Sequence, residues 1–324
     1  LSVFVNNYGL KLTGPNLPAQ REAHPPPVLA PRVLIDRLQH QALGRDAEVD
    51  PTAKVCVGIV TYNNTAKQLR RVVDSARQAL EHAGLAHAAR ISLIDNGGAS
   101  EILVREAGVG GALLHYLPTA GNIGFGAAHN RLMADWFAAS GDFYIATNPD
   151  GAFHPDAVIA LMKMMRAHGN RALIEAMQFP AEHPKVYDPY TFETPWTSGA
   201  CLVIPRALYE QSKGFDDTFF MYCEDVDLAW RAKALGFAVR ICPPALFLHE
   251  VTNREPEART LKMIYSSGII LARKWGDPDF EAMLIGELEN MGGTAPTQQP
   301  PPVLADWRRL ADFKHHFTFA EMRW

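Results

Sequence analysis

The sequence predicts an α/β protein with a doubly wound, mostly parallel sheet flanked by helices. Apolar runs rich in β-branched residues recur along the chain, which is typical of strands buried on both faces. Segments of helical periodicity lie between these runs, and parallel strands need such crossovers to join them. With 324 residues the chain is long enough for one large domain of this class or two ordinary ones.

Four strands are predicted in the first half of the domain, and polar loops follow them. The strands cover 55–61, 91–95, 113–117 and 143–146, and helices are predicted at 69–80, 102–106 and 127–138. Asn63, Asp95, Asn122 and Asp150 lie in loops that leave the carboxyl ends of these strands. Because ligands of such sheets bind outside those ends, we expect the four loops to converge at one edge.

The second half of the domain contains further strands around an acidic helix. A helix is predicted from about 156 to 168, strands at 172–179, 198–204, 237–241 and 245–249, and a last helix at 257–275. Residues 181–194 carry prolines and aromatic residues and are predicted to form an irregular loop.

Two flanking regions differ in composition from the domain at 54–275. Residues 1–53 are rich in proline and are predicted to form an arm with one short helix at 33–43. Residues 276–324 are predicted to form a linker, richest in Gly, Pro and Gln at 292–302, and an amphipathic tail. The tail could cap the core, contact a second subunit or lie on a membrane surface. Core or subunit packing is favoured because the tail lacks a strongly basic face.

Composition excludes several classes of function. A net charge of −4 argues against a nucleic-acid partner, which would require a basic patch. The four cysteines show neither a CxxC pair nor zinc-ligand spacing, which favours reduced thiols in a cytosolic protein. No apolar run approaches the roughly 20 residues that a membrane-spanning helix requires.

Three carboxylates crowd the start of the acidic helix: Glu224, Asp225 and Asp227. One acid would suffice to interact with the free N–H groups of a helix start, and Asp227 can pair with Arg231 one turn later. Three acids repel one another, and the apolar run at 219–222 would raise the proton affinity of a carboxylate that it packs against. The pattern leaves a catalytic and a structural role open.

Three other short motifs suit contacts with a ligand. Residues 148–151, Asn-Pro-Asp-Gly, are typical of a turn but directly follow the fourth strand. The glycines at 121–126 lack the spacing of a dinucleotide-binding loop, so they permit either a close approach of a ligand or only a tight turn. Trp196, which stands beside small residues, suits either stacking on a sugar or core packing.

These motifs together resemble a known family. The run GFDDTFFMYCEDVDLAWR at 214–231, with WTSGACLVIPR at 196–206 upstream and His249 downstream, resembles the family 2 glycosyltransferases of the GT-A fold. It is most similar to the rhamnosyltransferase-type members that build bacterial surface polysaccharides. The resemblance covers about 54–275, with a nucleotide-sugar half at 54–151 and an acceptor and catalytic half at 152–275.

The resemblance implies a divalent cation, Mg²⁺ or Mn²⁺, on the diphosphate of the donor. In this family a DxD motif after the fourth strand coordinates the cation, and Asp150 matches its second acid while Asn148 replaces the first. His249 matches the third metal ligand. Because an amide oxygen contributes no charge, a weaker metal site is expected.

The resemblance also assigns roles to other residues at this edge. Asp225 matches the catalytic aspartate, which takes the proton from the attacking hydroxyl, and Glu224 is the second catalytic candidate. Glu224 and Asp227 would orient the acceptor or hold the loop. The expected donor-binding residues are Thr61, Asn63, Asp95, Gly121, Asn122, Gly124, Asn148 and Asp150, and the expected acceptor-binding residues are Trp196, Ser198, Gly199 and Asp227.

These expectations describe an inverting, metal-dependent transfer of one sugar from a nucleoside-diphosphate sugar to a hydroxyl of a glycan or lipid-linked glycan. dTDP-rhamnose is the first donor expected, followed by UDP-sugars, including UDP-galactofuranose. The sequence lacks the QxxRW motif of processive members, which points to the addition of one sugar per encounter. The expected location is the cytoplasm, at the inner face of the membrane, and a homo-oligomer is an open alternative.

Two other classes share part of this pattern. A nucleotidyltransferase would usually carry an early glycine-rich, basic phosphate loop, which the stretch after Lys54 lacks. A non-catalytic glycan-binding or assembly protein could keep the fold and lose the chemistry. The joint presence of Asp150, Asp225 and His249 argues against that class, whereas Asn148 leaves room for it.

Overall fold

A computed structural model describes residues 32–97, 100–111, 113–119, 121–182, 185–250, 258–311 and 313. The first half of the described chain contains α1 (Arg32–Ala42), β1 (Val55–Thr61), α2 (Ala66–His82), β2 (Ala89–Asp95), α3 (Ser100–Ala107), β3 (Leu114–Leu117), α4 (Phe125–Ala138), β4 (Phe143–Thr147) and β5 (Gly151–Phe153). The second half contains α5 (Ala157–Ala167), β6 (Ala172–Phe179), β7 (Cys201–Pro205), α6 (Arg206–Ser212), α7 (Glu224–Ala234), β8 (Ala238–His249), α8 (Ala258–Trp275), α9 (Pro278–Asn290) and α10 (Ala305–Arg308).

The described strands form one 8-stranded sheet in the order β3-β2-β1-β4-β7-β6-β8-β5. The strands β3, β2, β1 and β4 are parallel, as the alternation of strands and helices predicted. In this half Thr61 is paired with Asp95, so the ends of β1 and β2 lie side by side. The prediction of an α/β sheet flanked by helices is confirmed.

The other half of the sheet is mixed. β7 is antiparallel to both β4 and β6, whereas β6 and β8 are parallel. The short strand β5, which the sequence analysis did not predict, is antiparallel to β8 and pairs Gly151 with His249. This pairing joins the turn at 148–151 to the end of the last strand.

The two short strands predicted at 237–241 and 245–249 are one strand, β8, with an interruption. Its pairing with β6 shifts between Ala176 and Met177, so that Cys242 and Leu246 face successive residues of β6. Pro243 and Pro244 lie in the unpaired stretch, where a residue without an N–H group costs no ladder hydrogen bond. The two prolines made one bulged strand look like two.

Separate apolar clusters cover the two faces of the sheet. Val55, Val57 and Ile59 of β1 point to the cluster that contains α2 and α5. Cys56 and Val60 alternate with them and point to the cluster that contains α4, α7 and α8. Helix α7, which carries the three acids, is therefore held by one of these two buried clusters.

Part of the predicted C-terminal tail belongs to the core. The prediction of a linker from residue 276 is wrong at its start, because residues 278–290 form helix α9, which packs against α8. The Phe313 ring lies 5.1 Å from Trp230 and 4.7 Å from Phe280, centroid to centroid, and is 5% exposed. This agrees with the core-packing alternative for that residue, while residues 314–324 lie outside the described chain. Most of the predicted arm, 1–31, also lies outside it.

No helix in the described ranges has both the length and the apolar character needed to cross a membrane.

Gly58, on the central strand β1, lies under the ring of Tyr144. A Cβ atom at Gly58 would lie 1.8 Å from the Tyr144 hydroxyl oxygen, so Gly58→Ala would displace the buried ring. We expect a loss of about 1–3 kcal/mol in the free energy of unfolding, the usual cost of overpacking a core, measured by urea denaturation. Gly286→Ala is the control, because nothing lies within 4 Å of that Cβ position in α9, and it should stabilise by about 0.5–1 kcal/mol. Equal effects of the two substitutions would contradict this account of β1.

Candidate active site

The pairing of β5 with β8 brings the predicted metal ligands together. His249 Nε2 lies 3.4 Å from Asp150 Oδ1 and 3.1 Å from Asn148 Nδ2. All three residues are only partly buried. We refer to Asn148, Asp150 and His249 as the metal corner.

The hydrogen bonds of His249 fix which of its ring nitrogens is available. Gln178 Nε2 faces Glu175 Oε1 at 3.4 Å, so the carbonyl Oε1 of Gln178 is the atom that faces His249 Nδ1, at 2.9 Å. A carbonyl oxygen only accepts, so Nδ1 carries the proton and Nε2 presents a lone pair. A metal-binding histidine typically has such a partner on its other nitrogen.

Glu175 is a fully buried carboxylate at the centre of this arrangement. It forms an ion pair with Lys185, which is 2% exposed, and it accepts a hydrogen bond of 2.8 Å from the Ser198 N–H group. Lys185 also donates to the Trp196 carbonyl, at 3.1 Å. Sequence analysis missed Glu175, Gln178 and Lys185. The available signal was Glu175 and Gln178 in the otherwise apolar strand at 172–179, a placement that is costly unless both are paired.

Arg71, on α2, clamps the outer side of the metal corner. Its guanidinium donates to the Asp150 carbonyl at 2.8 Å and forms an ion pair with Glu250, the residue after His249. The pair raises the pKa of Arg71 further. One side chain therefore ties together the two chain segments that carry Asp150 and His249. This role could not be predicted from the sequence, because Arg71 is one of several charged residues on a helix.

The metal corner fits a divalent cation. It offers a carboxylate from Asp150, the lone pair of His249 and, after rotation of its amide, the side-chain oxygen of Asn148. Across the described ranges no group of three His, Cys, Asp or Glu residues is arranged to hold a metal ion. The corner has two such residues and an amide, which is the composition from which a weaker site is expected.

We refer to residues 222–227 as the acidic turn. It begins with two consecutive residues in the left-handed region. Tyr222 has φ = 70° and Cys223 has φ = 66°, both unusual for residues other than glycine. Helix α7 then begins at Glu224, with Cys223 as its N-cap residue and no side-chain cap. The turn therefore presents Glu224 and Asp225 at the first positions of the helix.

Asp225 is held by backbone N–H groups and stays partly exposed. Its Oδ2 atom accepts from Gly199 N at 2.8 Å, and its Oδ1 atom accepts from Val226 N at 2.8 Å. Burial raises the pKa of Asp225 to about 6, although these hydrogen bonds and the charge of Lys185 act in the opposite direction. A carboxylate with such a pKa is ionised near neutral pH and is a better base than an ordinary aspartate.

The other two carboxylates of the turn are buried and differ from each other. Glu224 is 4% exposed, and its Oε2 atom has no hydrogen-bond partner in the described part of the chain. Burial, reinforced by the charge of Asp225, raises the pKa of Glu224 well above its usual value, so the protonated form is favoured.

Asp227 is fully buried and fully engaged. It accepts hydrogen bonds from Arg231 Nε at 2.7 Å and from Trp275 Nε1 at 3.0 Å, and its Oδ1 atom lies 2.7 Å from Lys274 Nζ. These contacts join α7 to the end of α8. They favour the loop-holding role for Asp227 over contact with the acceptor.

Three of the predicted donor loops contact one another. Thr61 Oγ1 donates to Asp95 Oδ1 at 2.9 Å, and both side chains are buried. Asn96, which sequence analysis missed, donates to the Gly124 carbonyl at 3.1 Å and so joins the second loop to the third. Asn63 lies at the exposed end of the first loop with φ = 56°.

Gly124 requires a glycine, whereas Gly121 does not. A Cβ atom at Gly124 would lie 2.2 Å from the Phe220 carbonyl oxygen, and its φ of 87° is also in the left-handed region. Nothing lies within 4 Å of the corresponding position at Gly121. Asn122 Oδ1 accepts from Gly124 N at 2.9 Å and shapes the same turn. The glycine loop is therefore packed directly against the segment that leads to Asp225.

The predicted acceptor-binding segment lies between the metal corner and Asp225. Gly199 N donates to Asp225, Ser198 N donates to Glu175, and the Ala200 carbonyl accepts from Asn148 N at 2.9 Å. We refer to these three residues, 198–200, as the bridge. Trp196, two residues earlier, is 6% exposed, and the ammonium group of Lys185 lies 4.7 Å from its ring centroid. The structure favours core packing for Trp196.

Comparison with known proteins gives relatives in sequence and in fold. No protein-family model matches the chain. N-acetylglucosaminyl-diphospho-decaprenol L-rhamnosyltransferase of Mycobacterium tuberculosis, from two strains, is 30% identical to it over 202 residues, covering 48% of this chain and 66% of the relative. The chain thus spans slightly less than two thirds of the length of these curated relatives.

Two solved structures have the same fold at low sequence identity. A mannosyltransferase from Pyrobaculum calidifontis, in complex with GDP-Man and Mn²⁺, has a TM-score of 0.54 and 17% identity, covering 79% of both chains. GalNAc-T7 with UDP, GalNAc and Mn²⁺ has a TM-score of 0.55 and 13% identity, covering 94% of this chain and 67% of that chain. The GT-A fold predicted from the motifs is confirmed. The mycobacterial relative also bears out the predicted resemblance to rhamnosyltransferase-type glycosyltransferases.

The hydrogen bond from His249 to Gln178 predicts a role for Gln178 in metal binding. Gln178→Met keeps the volume but removes the acceptor that holds the proton on Nδ1, so we expect Mn²⁺ affinity to fall by about 10- to 100-fold. Isothermal titration with Mn²⁺ measures it, and circular dichroism checks the fold. Gln211→Met, on the exposed side of α6, is the matched control. An unchanged affinity in Gln178→Met would exclude this role.

Proposed function

We propose that this chain is an inverting, metal-dependent glycosyltransferase that moves one sugar from a nucleoside-diphosphate sugar to a hydroxyl of a glycan or lipid-linked glycan. The observation that carries the proposal is the bridge. Its three consecutive residues bind Glu175 behind the metal corner, Asp225 at the start of α7, and Asn148 in the turn after β4. Because the proposed donor site and the proposed base are both bonded to this one short segment, the distance between them is fixed.

Asp225 is the proposed base. The acceptor oxygen attacks the anomeric carbon of the donor sugar, the bond from that carbon to the diphosphate oxygen breaks, and Asp225 takes the hydroxyl proton. Attack from the face opposite the leaving group inverts the configuration. A pKa near 6 keeps Asp225 ionised before the step and able to hold the proton after it.

The donor is proposed to lie along the three joined loops, with its diphosphate toward the metal corner. A divalent cation held by Asp150 and His249, with the Asn148 amide, would offset the charge on the departing diphosphate. Both solved structures of this fold named above contain Mn²⁺ and a nucleotide or nucleotide sugar, which supports this class of donor and a divalent cofactor, Mg²⁺ or Mn²⁺. Thr61 and Asp95 would hold the base end through their paired side chains.

The similarity to the mycobacterial L-rhamnosyltransferase favours rhamnose as the transferred sugar, with dTDP-rhamnose as the first donor to test. The name of that relative contains a sugar joined by a diphosphate to a polyprenol, which supports a lipid-linked acceptor in bacterial surface polysaccharide synthesis. We place the reaction in the cytoplasm, at the inner face of the membrane, and expect one sugar to be added per encounter.

Asp225→Asn should abolish turnover and spare donor binding. Loss of a general base costs about 10²- to 10⁴-fold in kcat, whereas the donor contacts lie on other loops. Release of nucleoside diphosphate from dTDP-, UDP- and GDP-sugars, with and without Mn²⁺, measures turnover, and titration calorimetry measures donor binding. Asp279→Asn, an exposed carboxylate at the start of α9, is the control and should leave both unchanged. Full turnover by Asp225→Asn would refute the assigned base.

The pH dependence of kcat/KM should report the same group. Because the pKa of Asp225 is raised to about 6, the base becomes protonated below that pH and the rate should fall about tenfold per pH unit. The acid limb of a profile measured between pH 4.5 and 8 should therefore have its midpoint near pH 6. A midpoint near pH 4, the ordinary value for aspartate, would contradict the assignment.

A further inference from the structure

A cavity of about 510 Å³ lies beside the acidic turn and is not used by the proposed chemistry. One wall is the segment that leads into the turn and includes Phe220 and Met221. The opposite wall is helix α8, and residues 296–298 border the opening. Neither the residues of the metal corner nor Asp225 lines it.

One face of α8 supplies most of the second wall. Its lining residues recur at helical spacing and are Arg259, Lys262, Met263, Ser266, Ser267 and Ile270. The face is divided along its length: the two cations lie near the start of the helix, and the hydroxyls and apolar side chains follow. The neighbouring face, with Ile264 and Leu271, packs into the core.

The charge of the cavity differs from that of the protein. The chain has a net charge of −4, yet the described residues that line the cavity include two cations and no acid. Arg259 and Lys262 lie in the first described turns of α8, which contain no acid among the described residues, and cations near the start of a helix are unfavourable to it. Lys262 makes one long contact, 3.5 Å, to the Gly292 carbonyl. The positive charge of Arg259 and Lys262 favours an anionic ligand in the cavity.

The rest of the lining is apolar and partly open to solvent. The Phe220 side chain is 48% exposed, which is unusual for a large aromatic residue. Met221 and Met263 add flexible apolar side chains that adapt to the shape of a ligand. A cavity with cations at one end and apolar walls fits a phosphate group joined to a hydrocarbon chain.

The cavity is fixed close to the proposed base. Ser267 Oγ donates to the Met221 carbonyl at 2.6 Å, so α8 holds the segment that leads into the acidic turn. Four Cα steps separate Met221 from Asp225, and this limits their separation to about 15 Å. An acceptor sugar with its hydroxyl at Asp225 and its phosphate end in the cavity is compatible with this limit.

We propose that this cavity binds the diphosphate and the first isoprenoid units of a lipid-linked acceptor, with Arg259 and Lys262 on the diphosphate and Phe220, Met221 and Met263 on the hydrocarbon. The proposal rests on the proposed glycosyltransferase function and adds to it the site that would recognise a lipid-linked acceptor.

Binding of farnesyl diphosphate tests the site without any turnover. The full chain is titrated with farnesyl diphosphate, inorganic diphosphate and farnesol in the absence of divalent metal, so that the metal corner does not hold the probe. We expect farnesyl diphosphate to bind at least about tenfold more tightly than either of the others. If inorganic diphosphate binds as tightly as farnesyl diphosphate, the site recognises only the anion. If farnesol binds as tightly as farnesyl diphosphate, the cations play no role. Either result overturns the proposal.

Substitutions then locate the site. The double variant Arg259→Gln with Lys262→Gln should weaken farnesyl diphosphate by about tenfold or more, and Met263→Gln should weaken it without affecting inorganic diphosphate. Arg105→Gln with Lys213→Gln removes the same charge from exposed positions outside the cavity and should change nothing. An equal loss in this control pair would show that only net charge matters and would overturn the proposal.

Kinetics separate this proposal from the function on which it rests. The Arg259 and Lys262 double variant should lose about tenfold or more in kcat/KM for a lipid-linked sugar diphosphate and keep its rate with a neutral alkyl glycoside of the same sugar. Unchanged transfer to the lipid-linked acceptor would refute the cavity and leave the glycosyltransferase intact. Specific binding of farnesyl diphosphate in a protein that transfers no sugar would refute the proposed function and leave the cavity.

Discussion

The buried carboxylate of Glu175 is the interaction on which the candidate site depends. A charge without solvent must be compensated, and here Lys185, the amide of Gln178 and the Ser198 N–H group do so. Breaking such a buried pair typically costs about 3–5 kcal/mol, because the remaining charge is left unpaired. The same contacts orient His249 through Gln178 and hold the bridge that binds Asp225. The hydrogen bonds of Glu175 therefore help to position both the metal corner and the proposed base.

The three carboxylates of the acidic turn are close in sequence but differ in burial and in hydrogen-bond partners, so they have different roles. Asp225 is partly exposed, is held by two N–H groups and has a pKa near 6. Glu224 is buried, and its Oε2 atom has no hydrogen-bond partner among the described residues; burial raises its pKa and so favours the protonated form. Asp227 is paired with Arg231 and Lys274 and anchors α7 to α8. Distinct environments for adjacent acids are a recurrent way to separate a base from its neighbours.

Much of the fold was predictable because its signals are local. Apolar runs and helical periodicity gave β1, β2, β4, β6 and most helices within a few residues, and loop polarity indicated the functional edge. The errors also have local causes. Pro243 and Pro244 interrupt the apolar pattern of β8, so it was predicted as two strands. Strand β5 has only three residues, which are too few to show a strand periodicity. The long-range pairing of β7, antiparallel between β4 and β6, has no signature in the sequence of either neighbour.

The sequence by itself determined which residues are capable of the chemistry: the acids at 224–227, the turn at 148–151 and His249. Only the tertiary structure decided how they are used, because burial and partners depend on segments far apart in the chain. Trp196 and Asp227 looked available for an acceptor and are packed in the core, whereas Glu175 looked out of place in a strand and supports the site. A residue type sets what a side chain can do, and its solvation and hydrogen bonds set what it does.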